Sequence, residues 1–449
     1  MPKPSAKRPS AKKSSVKKPS VKKRSVKLSS AAARSTKKPG QGGHGPLHGL
    51  RVLDLSAMIA GPYAAQILAD YGADVIKIET PEGDLLRRSI GSANSPDMSP
   101  LYLQLNRNKR SLVLDLKQPA ARAALLALCA DADVFVTNVR PAAMRRLKLG
   151  YDDMRKVNPR VVYVSVMGYG ESGPYAGKPA YDDLIQGICA LPTLSGADNS
   201  EPRYLPLALV DRVVGINAAH AILAAIVGRD RSGKGQYVEL PMFETMAQLV
   251  LADHLAGRTF DPPIGKAGNP RVALRHPFHT SDGHVCALVY TDRHWRAFFE
   301  QLGRLDQYEA MPQLMKFAAR RQRSAEANAV VADILRTLTS AEALALLERC
   351  DIPCAPLNDL DTLIEDPHLE AVGFFHTRAH PTEGRIRYTG IPSRWNGQAL
   401  TIRRHAPRTG EHSLAVLKEA GLPQKEIAAL LRSGATVDGA MKAKAAAAR

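Results

Sequence analysis

Between residues 51 and 170 the chain alternates short stretches rich in Val, Leu and Ile with longer amphipathic runs. RVLDLS (51–56), DVIKIE (74–79), SLVLDLK (111–117), DVFVTNV (133–139) and RVVYVSVMGYG (160–170) have the length and β-branched content of buried strands. Between them, YAAQILADYGA and QPAARAALLALCADA space their apolar residues as helices require. Pro62 suits the first turn of the former, where a missing N–H costs nothing. Strand, helix and strand repeated in this way predict βαβ units and an α/β fold, a parallel sheet covered on both faces. QYVEL (236–240) adds another strand.

From residue 204 the pattern changes. YLPLALVDRVVGINAAHAILAAI (204–226) is almost unbroken apolar sequence with one carboxylate, Asp211, set into it. Val213, Ile216, Ala219, Ile222, Leu223 and Ile226 predict a helix over 212–227, which puts Asp211 at its N-cap. PMFETMAQLVLADHLAG predicts a second helix opened by Pro241, followed by the Gly/Pro-rich loop DPPIGKAGNP (261–270). HPFHTSDGHVCALVY (276–290) predicts a turn at SDG and a strand after it. Residues 292–350 read as mostly helical, 372–397 as short strands and loops, and 411–432 as one final helix.

Charge changes this picture at one end only. The chain of 449 residues carries a net +19, but residues 1–45 hold fourteen Lys or Arg and no Asp or Glu, leaving +5 for everything after. That Lys/Ser/Pro-rich tail has almost nothing to bury and is expected to be disordered; it reads first as a solubilising extension, and next as a segment making weak, salt-dependent contact with nucleic acid or another polyanion. No run of eighteen uncharged apolar residues suggests a membrane span, and no secretory signal opens the chain. Five cysteines without a CxxC pair fit a reduced, cytoplasmic setting.

Candidate chemistry narrows by exclusion. Glu79 ends its strand where a ribose-binding acid would lie, but the first turn, LSAMIAGP, lacks GxGxxG, which argues against a dinucleotide. GRDRSGKGQ (228–236) has the wrong spacing for a P-loop, and no GxSxG elbow occurs. His276, His279 and His284 match no zinc pattern, so no metal is expected. Asp211 allows two readings: a helix cap, or a desolvated nucleophile toward an activated carbonyl. Tyr181, Asp182 and Asp183 follow the last strand of the series, where open α/β sheets bind ligands, or they cap a helix. The Arg pairs at 87–88 and 145–146, Lys117 and NRNKR (106–110), with Arg107 and Arg110, read first as solvated charge on loops, but NRNKR has no acid nearby in sequence, which opens phosphate binding as a second reading there. Gly265 and Gly268 give the GKAGNP loop freedom to move over a site.

PLHGLRVLDLSAMIAGPYAAQILADYGADVIKIETPEGD, NRNKRSLVLDLK, ADVFVTNVRPAAMRRLKLGYDDMRKVNPRVVYVSVMGYGESGPY and GRDRSGKGQYVEL together resemble the class III CoA-transferase family over residues 46–435. The resemblance implies that Asp211 attacks an acyl-CoA thioester, passing through an anhydride and an aspartyl-CoA thioester to a carboxylic acid acceptor. CoA would be substrate, with no tightly bound cofactor. It matches Asn138 and Arg146 to CoA contacts, Lys117 to a CoA-phosphate lysine, Asp182 to an acid beside the nucleophile and Tyr181 to a pocket tyrosine. Gly265 and Gly268 fall in the family's mobile glycine loop. The family's adenine-side Arg falls on Thr80, so Arg87 or Arg88 would replace it. The racemase branch has His before Asp where AYD stands here, and Tyr181 is a poor base at neutral pH. A Rossmann-like large domain is implied, its sheet built from both chain ends (46–240 and 361–435), with a smaller α+β domain inserted over 241–360 and a frayed end at 436–449. Two such chains would interlock as a homodimer.

Overall fold

The computed structural model describes residues 45–89, 91–196, 201–269 and 275–440. The basic tail, but for its last residue, and the last nine residues of the chain lie outside that range.

Six strands form one sheet: β1 (Arg51–Leu55), β2 (Asp74–Glu79), β3 (Lys109–Val113), β4 (Val134–Thr137), β5 (Val162–Met167) and β6 (Gln236–Pro241). Their order is β3-β2-β1-β4-β5-β6 and every neighbouring pair is parallel. Five helices matter for the site: α1 (Ala60–Asp70), α2 (Pro119–Cys129), α3 (Asp182–Ile188), α4 (Leu209–Ser232) and α5 (Met242–His254).

The strands read as continuous apolar runs because successive side chains enter two different cores. Val52, Val75, Val134 and Val162 pack against Leu68 of α1 and Ile222 and Ile226 of α4. Leu53, Ile76, Leu112 and Phe135 face the other way, against Leu125 and Leu128 of α2. Each such side chain, fully buried, contributes about 1.5–3 kcal/mol.

One expectation is corrected here: the sheet is not built from both chain ends. All six strands come from residues 51–241, and the C-terminal segment returns as helices. Val416, Leu417, Ile427 and Leu430 lie in Ser413–Glu419 and Gln424–Arg432, and they complete the core over α2 and the sheet. Strands do form at Phe375–His380 and Gly384–Thr389, but they pair only with each other. Four successive exposed residues in Phe375–His380, His376 to Ala379, could not join a sheet buried on both faces. The single helix expected over 411–432 is two, broken at Gly421 (φ +77°) and Pro423. Only a residue without a Cβ takes that backbone angle easily, and proline cannot continue a helix.

Residues 278–352 build a second core around Trp295, Phe298, Phe299, Leu335 and Leu347. It packs on a small antiparallel sheet of Phe278–His279, His284–Ala287 and Cys354–Pro356, making an α+β body. Helix α4 is long and apolar enough to cross a membrane by composition. Here it is a core helix, with one side against the sheet.

Candidate active site

Strand order reverses between β1 and β4, so the loops leaving these strands diverge and open a crevice at the carboxyl edge of the sheet. Asn138, the residue after β4, spans it. Its Nδ2 donates to Ala57 O at 2.7 Å, and its Oδ1 accepts from Ala57 N at 3.0 Å. The next residue, Met58, is held at φ +65°, with its N–H donating to Asp84 Oδ1 at 3.2 Å. Helix α1 then begins at Ala60, and α4 crosses it closely. A Cβ on Gly215 would lie 2.8 Å from Ala60 O, so glycine is needed for this approach. That crossing sets the first turn of α4 beside the crevice.

Asp211 is in that turn, as its third residue; Ala208 occupies the N-cap and supplies no side-chain bond. The capping role expected of Asp211 is therefore corrected, because the helix starts earlier than its apolar periodicity indicates. Asp182, the first residue of α3, does the work instead. Its Oδ2 accepts from Asp211 N at 3.0 Å, and its Oδ1 accepts from Gln186 Nε2 at 2.6 Å. The Asp211 carboxylate is half-buried, and burial pushes its pKa up to about 7. The like charge of Asp182 adds to this, and Arg212 opposes it. Helix α4 is thus capped by a neighbour, which leaves Asp211 available with a carboxylate poorly solvated and near its midpoint at neutral pH. Cys189 packs in the same apolar cluster, but burial raises its thiol to about 11, so it is no thiolate at neutral pH.

Of the residues singled out in the sequence, the structure brings Asp211 and Asp182 together and sets Asn138 at the crevice. Tyr181 precedes α3 with its side chain 67% exposed. Lys117 and Arg146 are exposed on the loop and helix that follow β3 and β4. Gly268 (φ +107°) donates to His254 O at 2.7 Å, and Gly265 packs so close to Gly257 that a Cβ on the latter would lie 2.5 Å from Gly265 Cα. The glycine loop is thereby fastened to the end of α5. Arg88 is exposed on the wall of a cleft of about 340 Å³, shared with Glu82, Ser95, Asp97 and Arg408.

Three cations are corrected. Arg87 is fully buried, with Nε and Nη2 each 2.7 Å from Glu79, and donates to Pro407 O. Arg107 pairs with Asp70 at 2.8 Å and donates to Thr389 O at 2.6 Å. Arg110 joins Asp74 at 2.6 Å and Glu419 at 2.8 Å. Their donors are spent inside the protein, and Arg110 lies in β3 rather than on a loop. Among the described residues no group of three or more His, Cys, Asp or Glu could hold a metal. Sequence reasoning missed the Asn138–Ala57 clamp, Arg408 and Arg212. The guanidinium of Arg212 lies 4.6 Å over the ring of Tyr63 in α1, and its only sequence signal was adjacency to Asp211.

Fold and site together define a doubly wound α/β protein with a poorly solvated carboxylate in the first turn of a helix near the switch-point crevice. The chain belongs to CoA-transferase family III, whose model matches residues 47–413. It is a class III, CaiB/BaiF-type CoA-transferase. It is 32% identical to a succinate–glutarate CoA-transferase of Agrobacterium fabrum, over 83% of this chain and 95% of that one. An acyl-CoA transferase of Fusarium pseudograminearum is 31% identical, over 87% and 88%. The crystal structure of Rv3272 from Mycobacterium tuberculosis superposes with a TM-score of 0.73 at 29% identity, covering 84% of this chain and all of the other.

Proposed function

We propose that the protein moves CoA from succinyl-CoA or another short acyl-CoA to a carboxylic acid, with Asp211 as nucleophile. The observation that carries this is the Asp211 carboxylate itself: half-buried, raised to about 7, and free of capping because Asp182 caps in its place. An oxygen of ionised Asp211 adds to the thioester carbonyl; the C–S bond breaks, leaving a mixed anhydride and CoA thiolate. The thiolate adds to the Asp211 carbonyl of the anhydride and expels the donor's acid, giving an aspartyl-CoA thioester. The acceptor carboxylate then displaces thiolate in the same way, and the thiolate attacks the acceptor's acyl carbon and frees Asp211. Activation is conserved throughout and no net proton moves. A carboxylate is an adequate nucleophile when desolvated and held close. Succinyl-CoA as donor is supported by relatives named as succinyl-CoA:mesaconate and succinyl-CoA:glutarate CoA-transferases. Asn138 at the crevice and the exposed cations Lys117, Arg146 and Arg88 are the CoA-binding candidates, Tyr181 a pocket wall, and the loop of Gly265 and Gly268 a cover for the site.

Incubation with a panel of acyl-CoAs, trapping with hydroxylamine or borohydride and peptide mass spectrometry test the mechanism. Modification is expected at Asp211 with a productive donor, and labelling at another residue would overturn the assignment.

An interlocked homodimer is part of the same proposal. Helices α3, α4 and α5 share one apolar cluster, yet Leu184, Ile188, Leu207, Leu249, Leu251 and Ile264 in and around them are exposed. So many large exposed apolar side chains in one region support an interface with a second chain. Sedimentation is expected to give twice the chain mass of 48.6 kDa, and a monomer at micromolar concentration would sink this part. Five free cysteines support a reduced, cytoplasmic setting.

A further inference from the structure

His276, His279 and His284 match no zinc motif by spacing, and the fold sorts them differently. His276 lies beside the ring of Phe278, with its Nδ1 2.9 Å from Pro277 O. His279 and His284 are directly paired across the antiparallel hairpin of Phe278–His279 and His284–Ala287. One position nearer the turn, Thr280 N donates to Gly283 O at 2.9 Å. The two histidines therefore hold a non-hydrogen-bonded position, where opposite side chains come closest. Their ring centroids are 4.1 Å apart at an interplanar angle of 46°. Both residues are exposed, and among the described residues neither imidazole is held by a hydrogen bond or an ion pair. The frame beneath them is fixed. Phe278 and Val285 enter the core of the small α+β body from the reverse face. At the turn, Ser281 N donates to Leu338 O at 2.8 Å, and Asp282 Oδ1 accepts from Ser340 N at 2.7 Å.

We propose that His279 and His284 form a two-histidine chelate for a borderline divalent transition-metal ion of the Zn²⁺ type. Imidazole nitrogen suits such ions, whereas a hard ion such as Mg²⁺ takes oxygen ligands. Bonds of about 2.0–2.1 Å in a tetrahedral zinc site set two ligand nitrogens about 3.3 Å apart. Rings already 4.1 Å apart between centroids approach that spacing by side-chain rotation, with the strands left in place. Because the strands are fixed, the second imidazole meets an ion bound by the first at high effective concentration. Two protein ligands are fewer than the four of a structural zinc or the three of a catalytic one. Water then completes the coordination shell, and the ion exchanges with solvent rather than residing permanently. This site is independent of the transferase reading and takes no part in the reaction assigned to Asp211.

Calorimetric titration of the full chain with ZnCl₂, and with MgCl₂ as control, tests the proposal. Wild-type protein is expected to bind one Zn²⁺ per chain at this site and to show no heat with Mg²⁺. His279→Ala and His284→Ala should each weaken Zn²⁺ binding by about tenfold or more, and the double variant should lack the site. His276→Ala should bind as the wild type does. All three residues are exposed, so the substitutions are expected to keep the fold, which circular dichroism checks. Zn²⁺ should also raise the melting temperature of the wild type and leave that of the double variant unchanged. A wild type that binds no Zn²⁺, or a double variant that binds it equally well, overturns the inference. Loss of the site in His276→Ala would overturn the assignment to this pair.

Discussion

Asp211→Asn is expected to lower acyl exchange by about 10³-fold or more while making the folded protein more stable above pH 7. The loss follows from removal of the only group assigned to attack the thioester. The gain follows from the environment of that group. Burial, reinforced by Asp182, raises the Asp211 pKa from 3.8 to about 7. The folded chain then holds a proton over a range in which the unfolded chain has already lost it. The contribution of this carboxyl to stability is fully present below about pH 4 and is lost as pH rises through about 7. Asn carries no charge to desolvate, so the variant should gain about 1–3 kcal/mol at pH 8 and nothing near pH 4. Urea melts at the two pH values, with circular dichroism to show an intact fold, check this. Equal stability of the two proteins at pH 8 would contradict a desolvated Asp211. In the wild type, exchange should also fall about tenfold per pH unit below about 7, because only the ionised carboxylate is a nucleophile.

Lys109→Met should destabilise the protein by about 3–5 kcal/mol, the largest structural effect expected of a single change. Lys109 is fully buried and all three ammonium protons have acceptors: Asp54 Oδ2 at 3.0 Å, Pro62 O at 2.7 Å and Asn106 Oδ1 at 2.9 Å. Burial pushes its pKa down to about 8. Burial also works to raise that of Asp54, but Lys109 and Lys77 together hold it below the usual carboxylate range. Lys77 lies next to them, 2.8 Å from Asp84 and donating to Ser56 O at 2.9 Å. These ions support the turn from Ser56 to Met58, where Asp84 also receives the Met58 N–H. Removing Lys109 alone leaves the buried Asp54 charge without its bonded cation, held only by Ser56 and the field of Lys77, and leaves Pro62 O and Asn106 Oδ1 without this donor. Removing both partners, as in Asp54→Leu with Lys109→Met, should recover most of the loss, since two apolar groups leave no uncompensated charge. A single variant with the wild-type urea midpoint would show that the pair is not needed for stability.

The basic run NRNKR illustrates how far sequence reading reaches. It has no acid within several residues, and phosphate binding followed from that isolation. Arg107 instead finds Asp70, 37 positions away, and Arg110 finds Glu419, 309 positions away. Pairings of this kind depend on which strands become neighbours, and the local pattern carries no record of them. The same limit explains Asp211 and Asp182. A carboxylate before an apolar helix is a cap by local rules, but here the helix begins earlier and the cap arrives from α3.

By itself, the sequence determined the parallel α/β sheet, because strands buried on both faces must be continuously apolar and the connecting helices must keep their own period. It also determined Asp211 as an acid in an apolar setting and, through its long motifs, the transferase family. Only the tertiary structure decided that the C-terminal segment covers the sheet with helices rather than extending it. The structure also decided that Arg87, Arg107 and Arg110 are internal ties, and that the Arg212 guanidinium lies over the ring of Tyr63. Periodicity is written along the chain, whereas charge pairing and desolvation depend on groups that meet only after it has folded.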